Sequence, residues 1–197
     1  MQKIPYASEV GSLMYAQFCT RPDIAFIVDV LGRYLNNPGM DHWKAAKRVM
    51  RYLKKTKDYM LTYKRSDHLE IVGYSDSDFA GCPDSRRSTP GCVYTLNGGA
   101  ISWRSAKQTL VTSSTMEAEF VACFEASHHG IWSSSKSKHI DTKFLRVKKM
   151  LQSGQICIEH LGTKSMLADP LTKGVTPMVF YRHTARMDVL QFKEASL

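Results

Sequence analysis

Three groups of acidic residues stand at the ends of segments with regular periodicity: Asp76 with Asp78, Glu117 with Glu119, and Asp169. Asp76 and Asp78 lie just past the strand-like run 69–74. Residues two apart on a strand face the same side, so either suits a site at the strand's end. Glu117 and Glu119 open a helical segment, and Asp169 precedes Pro170, which fits the first turn of a helix with the aspartate as its cap. Each acid also has an ordinary use. Loop acids are common, early-helix glutamates suit the positive end of the helix dipole, and aspartate is a good N-cap. Together, carboxylates from strand and helix ends suit a site that holds two divalent metals roughly 3.5–4 Å apart for phosphodiester hydrolysis. Mg²⁺ prefers oxygen ligands, and its charge offsets the repulsion of clustered acids. No nucleophile triad competes, because His128, His129, His139, His160 and His183 have no G-x-S-x-G partner.

The elements that position these acids can be read from periodicity. Thr20-Arg21-Pro22-Asp23 combines an N-cap threonine with an early-turn proline, ahead of apolar residues at Ile24, Ile27, Val28, Leu31, Tyr34 and Leu35. That spacing predicts a helix with one buried stripe, ended by Asn36-Asn37-Pro38-Gly39. A second helix is expected from about Asp41, with Trp43, Ala46, Val49, Met50 and Leu53 on one face. From about residue 60 the period becomes strand-like. Residues 69–74, 92–96 and 100–103 read as strands, the last two joined by Asn97-Gly98-Gly99, a hairpin signal. A helix over about 114–132 is expected to pack through Met116, Phe120, Cys123, Phe124, Ser127 and Ile131. A serine and lysine linker at 133–138, a helix at about 139–152, a short strand at 156–158 and a helical segment from about Leu167 complete the order. The pattern predicts an α/β sheet domain preceded by a helical piece.

Composition narrows the class of partner. The 197 residues carry 27 lysines and arginines against 18 acids, a net charge of +9. Such an excess favours polyanionic partners. Between Lys44 and Arg65 stand nine basic residues and one acid, Asp58, so nearly all of the excess lies in this stretch. Lys44, Lys47, Arg48, Arg51, Lys54 and Lys55 are the candidate phosphate contacts on the second helix; the alternative is an ordinary solvated face. Apolar runs such as 24–28 reach about a quarter of the roughly 20 residues of a membrane span, so no membrane-spanning helix is expected. The N-terminus lacks the apolar core of a secretory signal, and the five cysteines (19, 82, 92, 123, 157) are scattered without a CxxC pair. Reduced thiols in an intracellular protein, cytoplasmic or nuclear, are the expectation.

Longer motifs then align in order. Tyr6-Ala-Ser-Glu-Val-Gly-Ser-Leu-Met-Tyr15, Thr20-Arg-Pro-Asp-Ile24, His42-Trp43-Lys44-Ala45-Ala46-Lys47-Arg48 and Tyr74-Ser-Asp-Ser-Asp-Phe-Ala-Gly81 resemble the Pol polyprotein of copia-type LTR retrotransposons. So do Asp84-Ser-Arg-Arg-Ser-Thr89, Ile101-Ser-Trp-Arg-Ser105, Ser114-Thr-Met-Glu-Ala-Glu-Phe120, Lys138-His-Ile-Asp141 and Ala168-Asp-Pro-Leu-Thr-Lys173. The resemblance implies that residues 1–65 are reverse transcriptase C-terminal and connection helices. It implies that 68–175 form a ribonuclease H-like mixed sheet with flanking helices, and that 176–197 are a C-terminal tail. In that family four acidic residues and two Mg²⁺ cut the RNA strand of an RNA/DNA hybrid. By motif position the resemblance assigns metal-binding and catalytic roles to Asp76, Glu119 and Asp169, and it decides between Glu117 and Glu119, which helical geometry alone leaves open. The rest of a Pol polyprotein becomes an expected partner beside the nucleic acid.

One departure bears on activity. The family has a further helical stretch and a strand ending in Cys-Asp-Asn, the source of its remaining metal ligand, where this chain has only Ser133-Ser-Ser-Lys136. No acid lies between Glu125 and Asp141, and Asp141 matches a different motif. The absent strand would lie near the middle of the sheet. Smaller departures are Pro90, where serine is usual, and Asp188, where glycine is common. The expectation is a ribonuclease H-like protein with little or no hydrolytic activity; the alternatives are a non-catalytic nucleic-acid-binding remnant and a pseudogene product.

Overall fold

The computed structural model describes residues 4–65, 70–82, 84–130, 148–155 and 157–192. The serine and lysine linker at 133–138, the Ser133–Lys136 gap, Asp141 and most of the helix expected at 139–152 lie outside them; residues 148–152 are helical.

Three helices come first: α1 Tyr6–Thr20, α2 Ala25–Gly32 and α3 Met40–Lys55. Thr20 is not a cap, as its sequence context suggested; it ends α1, and a single 3₁₀ turn, Pro22–Ile24, links it to α2. α2 stops at Gly32, ahead of the Asn36–Gly39 breaker, and Leu35 is exposed. Ile24, Val28 and Leu31 do form the expected buried stripe, closing on Tyr6, Val10 and Leu13 of α1 and Ala46 and Val49 of α3. α3 begins where the Gly39 N–H donates to His42 Nδ1 over 2.8 Å, and it ends with Lys54 and Lys55 in its last turn, where the dipole favours cations.

A buried polar knot fastens this helical part. Arg21 reaches Asp23 through two hydrogen bonds (2.7 and 2.9 Å) and Thr56 Oγ1 at 2.9 Å, while the Tyr52 hydroxyl donates to Asp23 Oδ2 over 2.7 Å. The Asp23 side chain is completely buried, so its charge depends on these donors.

The sheet is antiparallel, with β2 Ile71–Ser77, β3 Pro90–Leu96 and β4 Gly99–Ser105 in the order β2-β3-β4. Asn97 and Gly98 both take positive φ (50° and 92°), the requirement of the two-residue turn that their sequence signals. Helix α4, Thr115–Gly130, covers β2 and β3, and the Tyr94 hydroxyl ties them by donating to the Ala126 carbonyl over 2.7 Å. The buried face of α4 is Ala118, Val121, Ala122, Phe124 and Ala126, whereas Met116, expected to pack, is exposed. Small residues let the helix sit close to the sheet, which a search for large apolar side chains overlooks.

After residue 157 the chain runs without a strand through Cys157 and Ile158, contrary to expectation, to 3₁₀ turns at Thr163–Ser165 and Asp169–Leu171. Helix α5, Pro177–Arg186, and strand β5, Val189–Gln191, follow. β5 pairs antiparallel with β1, Tyr59–Leu61, in a separate two-stranded ribbon that joins the tail to the segment after α3. Asp188, where the family favours glycine, takes a positive φ of 56° just before β5. On the outer edge of β2 no further strand lies among the described residues.

The helical and sheet parts share a second core, in which Ala25 of α2 packs with Val93, Ala100, Leu167, Leu171, Met187 and Val189. Trp103 Nε1 donates to the Gln17 carbonyl over 3.0 Å, and Arg33 reaches Thr89 Oγ1 at 3.1 Å. The architecture is mixed α/β with a small antiparallel sheet. Among the described residues no helix is long and apolar enough to cross a membrane.

Candidate active site

Asp76, Glu119 and Asp169 arrive from a strand, a helix and a 3₁₀ turn, and the structure brings all three together. Asp76 is the penultimate residue of β2 and pairs with Gly91 of β3. Gly91 is what lets the third element in. A Cβ there would stand 2.7 Å from Leu171 Cβ, 2.8 Å from Thr172 Cγ2 and 3.0 Å from the Leu171 carbonyl carbon. Only glycine allows the Asp169–Leu171 turn to lie flat on the strand, and the complete burial of Leu171, a contribution of about 2 kcal/mol, holds it there.

That turn delivers three polar side chains to Asp76. Thr172 Oγ1 lies 2.6 Å from Asp76 Oδ2 and 3.0 Å from the Asp169 carbonyl; the carboxylate is the stronger acceptor. Lys173 Nζ stands 3.0 Å from Asp169 Oδ1 and 3.5 Å from Asp76 Oδ2. Asp76 and Asp169 are buried, at 7% and 5% exposure. Burial pushes the Asp169 carboxyl above its ordinary value and the Asp76 charge adds to this, against the opposing pull of Lys173. For Lys173 burial favours the neutral amine, but the Asp169 and Asp76 carboxylates outweigh it and raise the pKa of the ammonium.

Glu119, in the second turn of α4, turns its carboxyl to Asp76 and accepts the Ser77 backbone N–H. Partial burial of that carboxyl, then the neighbouring Asp76 charge, pushes it up to about 7 although the residue as a whole is exposed. A carboxyl poised that high beside another is the signature of acids crowded into one site.

The neighbouring acids have other work. Glu117 Oε2 accepts the backbone N–H and the hydroxyl of Ser113 (2.6 and 2.7 Å), while Ser114 Oγ accepts the Glu117 N–H over 3.2 Å, so Glu117 belongs to the start of α4. Asp78 accepts the Thr89 N–H and shapes the loop after β2; a Cβ on Gly81 would collide with its carboxylate. Asp169 is not a helix N-cap: it is the first residue of a 3₁₀ turn whose cap is Ala168, and it makes no side-chain capping bond.

Sequence reasoning assigned no role to Thr172 or Lys173. The signal was present in the spacing, since Lys173 follows Asp169 by four residues across a turn, where opposite charges meet. No three His, Cys, Asp or Glu side chains among the described residues are arranged to hold a metal ion.

The six basic candidates lie on one exposed stripe of α3, opposite Ala46 and Val49. Lys44 pairs with Asp41 at 3.0 Å, both exposed, so that contact is weak. Lys47 sits over the Trp43 ring, 5.5 Å from its centroid, and Arg51 donates to the Lys47 carbonyl over 3.3 Å. Arg48, Lys54 and Lys55 are likewise exposed.

Comparison with known proteins places the chain in a lineage. A retrovirus-related Pol polyprotein from transposon TNT 1-94 of Nicotiana tabacum is 38% identical over 207 residues, covering 89% of this chain and 16% of the polyprotein. That from transposon RE2 of Arabidopsis thaliana is 32% identical over 219 residues, covering 94% of this chain and 15% of the polyprotein. Secreted RxLR effector protein 161 of Plasmopara viticola is 45% identical over 138 residues, 70% of this chain and 97% of that protein. No protein-family model and no solved structure matches. The chain is retrotransposon-derived and belongs to the family of these Pol homologues, of whose polyproteins it spans about a sixth. The TNT 1-94 match runs over 207 positions, yet 89% of 197 residues is only about 175. The difference, about 30 positions, is sequence that the polyprotein carries inside the matched region and this chain lacks.

Proposed function

We propose that the chain is a Pol-derived, ribonuclease H-like protein that binds RNA/DNA hybrids and retains little or no power to cleave them. The convergence of Asp76, Glu119 and Asp169 from three separate elements carries the reading. Oxygen donors are the ligands that Mg²⁺ prefers, yet no three acidic side chains among the described residues are placed to hold an ion, so these carboxylates do not complete a metal site. Thr172 fixes the rotamer of Asp76, and Gly91 fixes the distance between the two aspartates. The basic stripe of α3 offers phosphate contacts to the hybrid.

Loss of cleavage is the expected consequence of the positions missing relative to the Pol homologues; the family resemblance puts them at Ser133–Lys136, where a fourth carboxylate would enter. A second reading, a binding remnant with no catalysis at all, is favoured by Lys173, which already satisfies two of the three carboxylates. The test is to incubate the purified chain with a labelled RNA/DNA hybrid and Mg²⁺. The expected result is hybrid binding that weakens steeply with salt and is lost on reversing Lys47, Arg48 and Arg51 to glutamate, with no cleavage. Cleavage abolished by Asp76→Asn would overturn the claim of lost activity, and salt-insensitive binding would overturn the role of α3.

A further inference from the structure

We infer that the chain forms a two-fold homodimer in which the outer edge of β2 pairs antiparallel with the same edge of a second copy. The direction of the backbone groups on β2 follows from its ladder with β3. The Glu70 carbonyl accepts the Asn97 N–H and the Asp78 N–H donates to the Thr89 carbonyl, each over 3.3 Å, so the even-numbered residues exchange hydrogen bonds with β3. Bonded and outward-facing residues alternate along an antiparallel strand, so Ile71, Gly73, Ser75 and Ser77 present their N–H and C=O groups to the outer edge. Glu119 takes the Ser77 N–H. Ile71, Gly73 and Ser75 keep theirs open, and no strand lies beyond them among the described residues. The opposite edge of the sheet is covered at its start, where the Ala100 N–H donates to the Met187 carbonyl over 3.1 Å and the Ala100 carbonyl accepts the Tyr63 hydroxyl over 2.8 Å.

A second copy of β2 fits this edge in one register. With the two-fold axis at Gly73, Gly73 stands opposite Gly73 and Ile71 opposite Ser75, so every open N–H of one copy meets an open carbonyl of the other. An axis at Tyr74 would instead need the Ser77 N–H, which Glu119 already holds. The even-numbered side chains lie on the face of Asp76 and Thr172, away from α4. There the Gly73 register sets Val72 opposite Tyr74, a β-branched and aromatic pair, and covers part of the apolar surface of Ile71 and Val72, which are 62% and 37% exposed. It also sets Glu70 opposite Asp76. Lys173 Nζ stands 3.5 Å from Asp76 Oδ2 and its side chain is 42% exposed, so the Glu70 carboxylate of the second copy arrives beside a cation. Strands that stay at an edge in monomers are guarded by lysine, proline or a bulge. The stretch from Ile71 to Ser75 has none of these.

Sedimentation of the whole chain and amide hydrogen exchange test this. A single strand pair is smaller than a standard interface of about 1,600 Å², so dimer is expected to accumulate between about 1 and 100 µM chain rather than at nanomolar concentration. Over that range the Gly73 and Ser75 amides of wild type are expected to slow at least about tenfold in exchange. Two variants break the pairing by different means. Ile71→Lys places a charge at the edge, and Ile71→Pro removes an outward N–H at the first position of an edge strand, where proline is tolerated. Each is expected to weaken dimerisation at least about tenfold while melting like wild type at low concentration. Phe18→Ser, which removes an 80% exposed aromatic side chain from α1, is expected to leave the dimer intact. A wild type that stays monomeric at about 100 µM overturns the inference. So does a dimer whose Gly73 and Ser75 amides exchange as fast as in the monomer, a result that needs no variant to fold. A dimer that persists in the folded Ile71 variants, or that Phe18→Ser abolishes, places the contact on another surface and equally overturns it.

Discussion

Thr172 places its hydroxyl 2.6 Å from Asp76 Oδ2 across 96 positions of sequence, joining the turn after residue 168 to the end of β2. A neutral donor on a buried carboxylate contributes about 1.5–3 kcal/mol, because its removal leaves the charge short of a partner. Thr172→Val keeps the shape and deletes the donor. It is expected to lower unfolding free energy in urea by about 2 kcal/mol, while Thr172→Ser keeps most of it. Equal stability of the valine variant and wild type would show that the contact carries no net energy.

Gly91 governs the same junction by absence of a side chain. Gly91→Ala adds a methyl group that meets Leu171 and Thr172 at 2.7–2.8 Å, with backbone behind them, so the turn must move away from β3. Overpacking of this kind costs about 1–3 kcal/mol. Because Asp169 rides on the displaced turn, its contact with Lys173 should weaken together with stability, which urea denaturation of the variant measures. A Gly91→Ala variant as stable as wild type would show that the turn yields to the methyl group without cost.

The Arg21–Asp23–Tyr52 knot yields a graded test. Asp23→Ala strands the Arg21 guanidinium in a buried setting and is expected to cost about 3–5 kcal/mol. Tyr52→Phe removes one donor of several and is expected to cost about 1 kcal/mol. Chemical denaturation measures both. Reversal of that order would mean that the tyrosine, not the ion pair, fastens α3 to the turn at Pro22–Ile24.

What the sequence made legible follows from local signals. The Asn97-Gly98 turn, the buried stripe of α2 and the basic stripe of α3 are each written within a few adjacent residues, and each forms. The pairing of β1 with β5 is not, since two three-residue strands more than a hundred positions apart carry no periodicity of their own. The face of α4 was read only in part: Phe124 packs as expected, but the rest of the buried side is built from alanines and a valine, while Met116, the largest early apolar residue, points to solvent. The carboxylates of the site were visible as three alternatives, yet the group that fills it was not. Lys173 looks like one more surface base until the turn folds it back over Asp169.

His183 supplies the pH dependence. It is 1% exposed on α5, and its Nδ1 is buried without a hydrogen-bond partner among the described residues. Burial lowers its pKa below the ordinary histidine value, and the positive charges of Arg186 and Arg182 lower it further. The folded chain thus resists a proton that the unfolded chain accepts. As pH falls through the ordinary histidine value of about 6.5 toward the depressed folded one, the unfolded state gains protons first and stability drops; above that window the penalty vanishes. Glu119, whose raised carboxyl takes a proton first in the folded chain, acts in the opposite direction over the same range, so the readout is the difference: in thermal melts from pH 7.5 to 5.5 His183→Gln should gain stability relative to wild type as pH falls. Parallel curves for the two proteins would place the acid sensitivity elsewhere in the chain.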